Sequence, residues 1–122
     1  MIKDIAFTAY SASDVSKLRD FYRDTLGLTF SGAYEQDGVV KYDEAKVGSG
    51  YFSIMTTEWS ETPPGNSGSI VFEVDDIEKS KNDLKNRGIA GSDIYDTSVC
   101  RLFSFKDPEG NKITFHQSTV AH

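Results

Sequence analysis

The sequence has little cysteine, histidine or proline: one, two and three residues among 122. A single cysteine excludes a disulfide within the chain and a cysteine-rich zinc site. No apolar run approaches the roughly 20 residues that span a bilayer, and the N-terminus lacks the pattern of a secretory signal. We therefore expect a reduced, cytoplasmic protein with no membrane partner.

Basic side chains are also scarce, because 13 Lys and Arg stand against 19 Asp and Glu, for a net charge of −6. The basic residues form no stripe that could follow a phosphate backbone, so nucleic acid is not an expected partner. An acidic balance can favour a cationic ligand, but more often it only keeps a protein soluble. The rest of the composition, 38% hydrophobic and 12% aromatic, is typical of a globular domain with its own core.

The first half of the chain reads as a strand, a helix and three further strands. Residues 5–10 form the first predicted strand. Asp14 is the expected N-cap of a helix that ends before Gly27, where a left-handed backbone is needed. The three later strands are predicted at Leu28–Tyr34, Val39–Asp43 and Tyr51–Thr57.

The second half repeats this pattern after a polar, proline-containing linker at 60–68. A strand is predicted at Ser69–Val74, Asp76 caps the next helix, and Gly88 follows it. Two more strands, Cys100–Lys106 and Lys112–Gln117, are joined by a turn at 107–111. The two halves agree in helix cap, helix length and terminal glycine, which indicates a duplicated unit of about 60 residues. A solenoid is not indicated, because it would show a shorter period repeated more often.

The helix motif and the closing hairpin carry a family resemblance. The helix runs from Asp14-Val15 through Phe21-Tyr22 to Leu26-Gly27-Leu28, and the hairpin spans 105–113 around Asp107-Pro108. Together they resemble the glyoxalase/bleomycin-resistance/dioxygenase (vicinal oxygen chelate) superfamily over nearly the whole chain. The resemblance implies an α+β fold: two tandem β-α-β-β-β units forming a cup-shaped curved mixed sheet with helices on the outside. The single domain would cover 1–122, with unit one at 1–59 and unit two at 69–122.

In metal-dependent members of that superfamily, His, Gln or Glu side chains from the first and last strands of each unit bind a divalent ion in the cup. Counting from the capping aspartates and the Asp107 turn places these positions at Phe7, Ile54, Ser69 and Thr114. None of the four is a usual ligand for a Lewis-acid metal. Because the usual ligands are missing from these positions, no metal or other cofactor is expected.

Alternation along two strands of the second unit supports this placement. Ile70, Phe72 and Val74 share one face and should meet the helix, which leaves Ser69, Val71 and Glu73 toward the cup. Lys112, Thr114 and His116 should likewise face the cup, because Ile113 and Phe115 lie between them.

A non-standard metal site stays open as an alternative, formed by His116, Glu73 and Glu58. The other histidine, His122, is the terminal residue.

No catalytic residue can be assigned, and His116 and Glu73 are the best candidates. His116 could act as a general base or bind an anion, or it could be a hydrogen-bonded histidine at a sheet edge. Glu73 needs a partner, for which Lys112 and Arg101 are the candidates, and that pairing could be purely structural.

Aromatic and aliphatic side chains could line the cup for a flat organic ligand. Core filling is the alternative for the same residues, and Cys100 is expected to be a buried, inert thiol. The polar turn at Asp107–Gly110 is interpreted as structural. The predicted ligand-binding residues are Phe7, Phe52, Ile54, Trp59, Ser69, Thr114 and His116.

The resemblance and the missing ligands favour a metal-free protein that binds a small organic molecule, comparable to drug-sequestering resistance proteins. The alternative is a metal-dependent glyoxalase-type lyase or isomerase, or an extradiol-type dioxygenase, with a non-standard site. A regulatory module that binds another protein is a third possibility. By resemblance we also expect a homodimer.

Overall fold

A computed structural model of the chain describes residues 1–120, so His122 lies outside the described part. The chain divides into two compact units. One comprises residues 1–67 with 108–111, and the other comprises 68–107 with the described residues from 112 onward. No helix within residues 1–120 is long and apolar enough to cross a membrane.

The first unit contains one helix and one four-stranded mixed sheet in the order β1-β4-β3-β2. β1 pairs with β4 in parallel, and the other pairs are antiparallel. A short 3-10 turn at Thr57–Trp59 follows β4. The elements are β1 (Thr8–Ala12), α1 (Val15–Asp24), β2 (Tyr34–Gln36), β3 (Val39–Val47) and β4 (Gly50–Thr56).

The second unit has the same topology, with the strand order β5-β8-β7-β6 and a single parallel pair, β5 with β8. The predicted α+β class, with two β-α-β-β-β units, is confirmed. The elements are β5 (Ser69–Glu73), α2 (Ile77–Asn86), β6 (Tyr95–Asp96), β7 (Cys100–Lys106) and β8 (Lys112–Ser118).

Both helices begin at the predicted aspartates. The carboxylate of Asp14 accepts a hydrogen bond from the Lys17 amide at 3.1 Å, and Asp76 accepts one from Lys79 at the same distance. Each bond satisfies an amide that the first helical turn leaves without an intrahelical partner. Gly27 follows α1 with φ of +79°, the left-handed conformation that glycine adopts without a steric penalty.

Each helix covers one face of its own sheet. In the first unit, Leu18 and Tyr22 of α1 are buried, and the Tyr22 ring lies 4.8 Å from that of Phe52 in β4. In the second unit, α2 buries Ile77 and Leu84. The sheet beneath α2 contributes a cluster of buried aromatic rings: Phe103, Phe105 and Phe115.

Three predicted strands of the first unit were wrong in extent. β3 continues to Val47, four residues beyond the predicted end at Asp43. β1 begins at Thr8, because residues before it have no partner in β4. Within the strand predicted at Leu28–Tyr34, only a single bridge between Phe30 and Ala45 forms before β2 begins at Tyr34. The Gly32 amide there donates to the Asp43 side chain at 3.1 Å, so this segment does not form a regular ladder with β3.

The turn between β7 and β8 has the structural role that its sequence indicated. Gly110 takes a φ of +90°, and the Asn111 side chain is buried and accepts a hydrogen bond from the Ser67 amide. The Glu109 carboxylate accepts from the amides of Ser13 and Asp14 at 2.7 and 3.2 Å, directly before α1. A carboxylate at this end of a helix is favoured by the helix dipole.

Candidate functional site

Each sheet has one face covered by its helix and one opposite face, which we call the helix-free face. In the first unit, successive side chains of β1 and β4 point to opposite faces of the sheet. Tyr10 and Phe52 contact each other at 5.5 Å on the helix side, so Ala9, Ser11 and Ser53 lie on the helix-free side. Tyr42 and Glu44 of β3 join them, because β3 pairs with β4 through Glu44–Ser53 and Tyr42–Met55.

This register corrects the prediction for Phe52 and Ile54. Both side chains are buried toward α1, at 2% and 0% exposure, and neither lies on the helix-free face. The strand pairing of the two units shows which residue of β4 corresponds to Thr114 of β8. Thr8 of β1 opposes Phe52 in β4, just as Ile70 of β5 opposes Ile113 in β8, so Phe52 corresponds to Ile113. The residue that corresponds to Thr114 is therefore Ser53, one position before Ile54.

The helix-free face of the first unit carries a hydrogen-bonded group of three polar side chains. The Tyr42 phenol oxygen lies 2.7 Å from the Ser53 hydroxyl and donates to Glu44 Oε2 at 3.0 Å. One phenol can accept from Ser53 while it donates to Glu44, so all three side chains are held together. The group occupies the face on which the resemblance placed the metal ligands.

Burial raises the pKa of Tyr42 above its ordinary value. The hydrogen bond from Ser53 opposes this shift, whereas Glu44 and its charge add to it. Because the raised pKa favours the neutral phenol, Tyr42 remains a hydrogen-bond donor at physiological pH.

Aromatic rings flank this polar group. Phe7 lies directly before β1, and its ring centroid is 5.9 Å from that of Tyr42 in an edge-on arrangement. The small side chains of Ala9 and Ser53 lie in the row between them and leave room for this contact. Tyr34 lies opposite Tyr42 in the β2–β3 pair, and its ring is 5.9 Å from that of Trp59.

These rings remain accessible on the first unit. Phe7 is 42% exposed, Trp59 48% and Tyr34 52%. Two of the predicted ligand-binding residues, Phe7 and Trp59, thus lie in one aromatic row with Tyr42 and Tyr34. We call this row, with Ser53 and Glu44, the aromatic–acidic face.

Contacts on both sides of β3 hold Glu44 in place. A side-chain carbon added to Gly32 would lie 2.5 Å from Glu44 Cγ, so only glycine leaves this space free. On the helix side, the Asp43 carboxylate accepts from the Glu44 amide at 2.8 Å and pairs with Arg19 of α1 at 3.0 Å. Burial lowers the pKa of Arg19, but its hydrogen bonds to Asp43 and Asp20 outweigh this and leave it raised.

In the second unit, the predicted alternation holds. Ile70 and Phe72 of β5 oppose Ile113 and Phe115 of β8, and the rings of Phe72 and Phe115 are in contact at 6.5 Å. The helix-free face therefore carries the remaining predicted site residues, Ser69, Glu73, Thr114 and His116.

Two hydrogen-bonded pairs lie on this face of the second unit. The hydroxyls of Thr114 and Ser104 are 2.8 Å apart. His116 Nδ1 is bonded to Glu73 Oε1, and Glu73 Oε2 accepts from the Ser118 amide at 2.8 Å. In the tautomer whose Nδ1 donates to the carboxylate, Nε2 is left as a hydrogen-bond acceptor. The pair can then orient a polar ligand group.

One expected partner of Glu73 was wrong. Arg101 lies on the helix side, where it pairs with Asp96 at 2.7 Å and with Glu78 of α2 at 3.4 Å. The period-2 alternation of β7 causes this, because Arg101 and Phe103 share a face.

The side chains at the four corresponding positions do not fit a metal ion. After the correction from Ile54 to Ser53, the side chains at the ligand positions are three neutral hydroxyls and one hydrocarbon ring, which are not usual metal ligands. The four residues are Phe7, Ser53, Ser69 and Thr114. Glu58, a member of the alternative set, pairs with Lys41 at 2.8 Å. Among residues 1–120, no three His, Cys, Asp or Glu side chains lie close enough together to hold a metal ion.

Sequence reasoning missed Tyr42, Ser53 and Glu44. A signal for two of them was present, because Val40, Tyr42 and Glu44 alternate with Lys41 and Asp43. Both faces of that strand contain polar residues, so alternation alone could not decide which one meets the helix.

The chain matches the family model described as Glyoxalase/Bleomycin resistance protein/Dioxygenase superfamily over residues 4–115. No curated protein matches its sequence.

Solved structures are similar over almost the full length. The antibiotic-binding protein TnmS3 from Streptomyces sp. CB03234 is 26% identical with a TM-score of 0.80, covering 97% of this chain and 98% of that one. A glyoxalase/bleomycin resistance protein from the same organism is also 26% identical, with a TM-score of 0.75 and coverage of 93% and 100%. A lactoylglutathione lyase from Agrobacterium tumefaciens, 20% identical with a TM-score of 0.75 and coverage of 95% and 94%, shares the fold.

Proposed function

The chain belongs to the Glyoxalase/Bleomycin resistance protein/Dioxygenase superfamily, and on that premise we propose that it binds a small organic molecule without a metal ion. The aromatic–acidic face carries this proposal. Three partly exposed rings and an ordered phenol occupy a surface where Phe7 and Ser53 stand at the metal-ligand positions. Flat rings provide apolar contact area, and a few fixed polar groups provide orientation, as in most small-molecule sites.

The similarity to TnmS3 supports sequestration rather than turnover, because that protein is described as antibiotic-binding. We propose that the ligand is a drug-like molecule with a planar ring system. Sequestration requires affinity but no reacting group, so neither the metal chemistry nor the His116–Glu73 pair is needed for it.

Ligand binding is expected to raise stability. A ligand at 100 times its Kd should add about 2.7 kcal/mol to the free energy of unfolding, measurable as a rise of several degrees in Tm. The screen would contain planar aromatic cations, anions and neutral compounds, each with and without EDTA. Equal stabilisation in EDTA, with the ligand recovered unchanged, is the expected result.

A matched pair of variants locates the binding surface. Phe7→Ala should abolish the ligand-induced shift, whereas Phe21→Ala, on α1, should retain it. Stabilisation that EDTA removes, or no stabilisation by any compound, would contradict the proposal.

We also propose that the protein works as a cytoplasmic homodimer. Ile2 and Ile5 before β1 are almost fully exposed, and β5 is an edge strand whose Val71 is 54% exposed. Exposed apolar side chains favour association with another chain.

The one thiol, Cys100, is buried, as suits a reducing compartment. Light scattering should give a mass of about two chains and fractionation a cytosolic protein; a monomer at micromolar concentration would contradict the pairing.

A further inference from the structure

We propose that the aromatic–acidic face binds organic cations, with the Glu44 carboxylate as the counter-ion. This inference rests on the proposed function and names the chemical class of its ligand. That class comprises planar aromatic molecules that carry a quaternary or protonated nitrogen.

Glu44 contributes a carboxylate to this face. Its side chain is half-buried, and its hydrogen-bond donor on this face is the neutral phenol of Tyr42. Within residues 1–120, no Lys, Arg or His side chain lies within ion-pair distance of Glu44. A partly desolvated carboxylate without a counter-charge is unfavourable, and a ligand cation would remove that cost.

Aromatic rings lie beside this carboxylate. Phe7 and Tyr42 contact each other next to Glu44, and Tyr34 and Trp59 continue the row. The face of an aromatic ring attracts a cation, and it also stacks with a flat ligand. A positively charged ring system satisfies both the carboxylate and the rings, whereas an anion would be repelled by the carboxylate.

A basic residue close to Glu44 in sequence allows the effect of charge on ligand binding to be tested. Lys46 lies on the same face two positions after Glu44, but its side chain is exposed and makes no ion pair with it. Its charge should weaken cation binding slightly at low salt. Removing it with Lys46→Met should therefore tighten cation binding.

The test uses pairs of ligands that differ in charge but hardly in shape. N-methylquinolinium and N-methylacridinium are compared with quinoline and acridine at pH 8, where both parent compounds are neutral, and with 2-naphthoate as the anion. Titration calorimetry on the wild-type protein should show each cation bound at least tenfold more tightly than its neutral partner. 2-Naphthoate should bind most weakly.

Glu44→Gln keeps the shape of the side chain and removes its charge. It should weaken cation binding about tenfold or more and leave the neutral compounds within about twofold. Asp37→Asn is the matched control, because it also removes one negative charge from the first unit. Asp37 lies in the β2–β3 turn with φ of +54°, which asparagine tolerates, so both ligand classes should bind to this variant as to the wild type.

The outcomes separate the two proposals. Neutral and cationic ligands binding equally, with no effect of Glu44→Gln on their ratio, would overturn the cation inference and leave the binding function intact. An equal loss of all ligands in Glu44→Gln would show that Glu44 is structural and would likewise overturn it. If no cation, neutral compound or anion binds, both proposals fail.

Discussion

Replacing Phe52 with alanine should lower the free energy of unfolding by about 3–5 kcal/mol, and Ile54→Ala by about 2–5 kcal/mol. Both side chains are fully buried beneath α1, where Phe52 contacts the rings of Tyr10 and Tyr22. Deleting them leaves a cavity that the surrounding side chains fill only partly. Urea denaturation monitored by far-UV circular dichroism gives the measurement.

Neighbouring residues on the other face provide the controls. Tyr51→Ala, at a position 45% exposed, should cost less than about 1 kcal/mol. Ser53→Ala should cost about 1 kcal/mol, because it removes one hydrogen bond to Tyr42. If Phe52→Ala proved as mild as Tyr51→Ala, Phe52 would lie on the helix-free face and the assignment of Ser53 to that face would be wrong.

The second large effect is expected at Asp43. Asp43→Ala should lower the free energy of unfolding by about 3–5 kcal/mol, because it leaves the partly buried Arg19 guanidinium without this carboxylate. It also removes the acceptor of the Gly32 and Glu44 amides. The loss should therefore extend to ligand binding through the position of Glu44.

An exposed ion pair is the control for Asp43. Asp83→Ala removes a carboxylate that is 52% exposed and pairs with Lys79, itself 71% exposed, so it should cost at most about 1 kcal/mol. The double variant Asp43→Ala/Arg19→Met should recover part of the loss, since it removes the charge that the single variant strands. Equal losses in the single and double variants would mean that the amide hydrogen bonds, and not the ion pair, dominate.

The second unit could be predicted closely from the sequence. Large apolar residues recur at every second position of β5 and β8, so Ile70, Phe72 and Phe115 were expected to face the helix. That assignment alone placed Glu73 and His116 on the opposite face. Their contact with each other followed only from the parallel pairing of β5 with β8, which brings residues 43 positions apart together.

β4 behaves differently, and this explains the error at Ile54. Phe52, Ser53 and Ile54 are consecutive and all buried, so the strand is covered on both faces. A strand with two buried faces has no polar–apolar alternation from which its register can be deduced. The loops before it also differ in length between the two units, so counting from the first unit's motifs gave a position one residue too far.

The sequence by itself determined the missing disulfide, the duplicated unit and the capped helices. Each of these depends on local chemistry: the count of cysteines, a cap three residues from its amide, or the identity of a side chain at a motif position. Tertiary structure alone decided that Tyr42, Ser53 and Glu44 form one hydrogen-bonded group beside Phe7. Tyr42 and Glu44 lie on β3, Ser53 lies on β4 and Phe7 directly precedes β1, and only the pairing of β4 with both β3 and β1 brings them together.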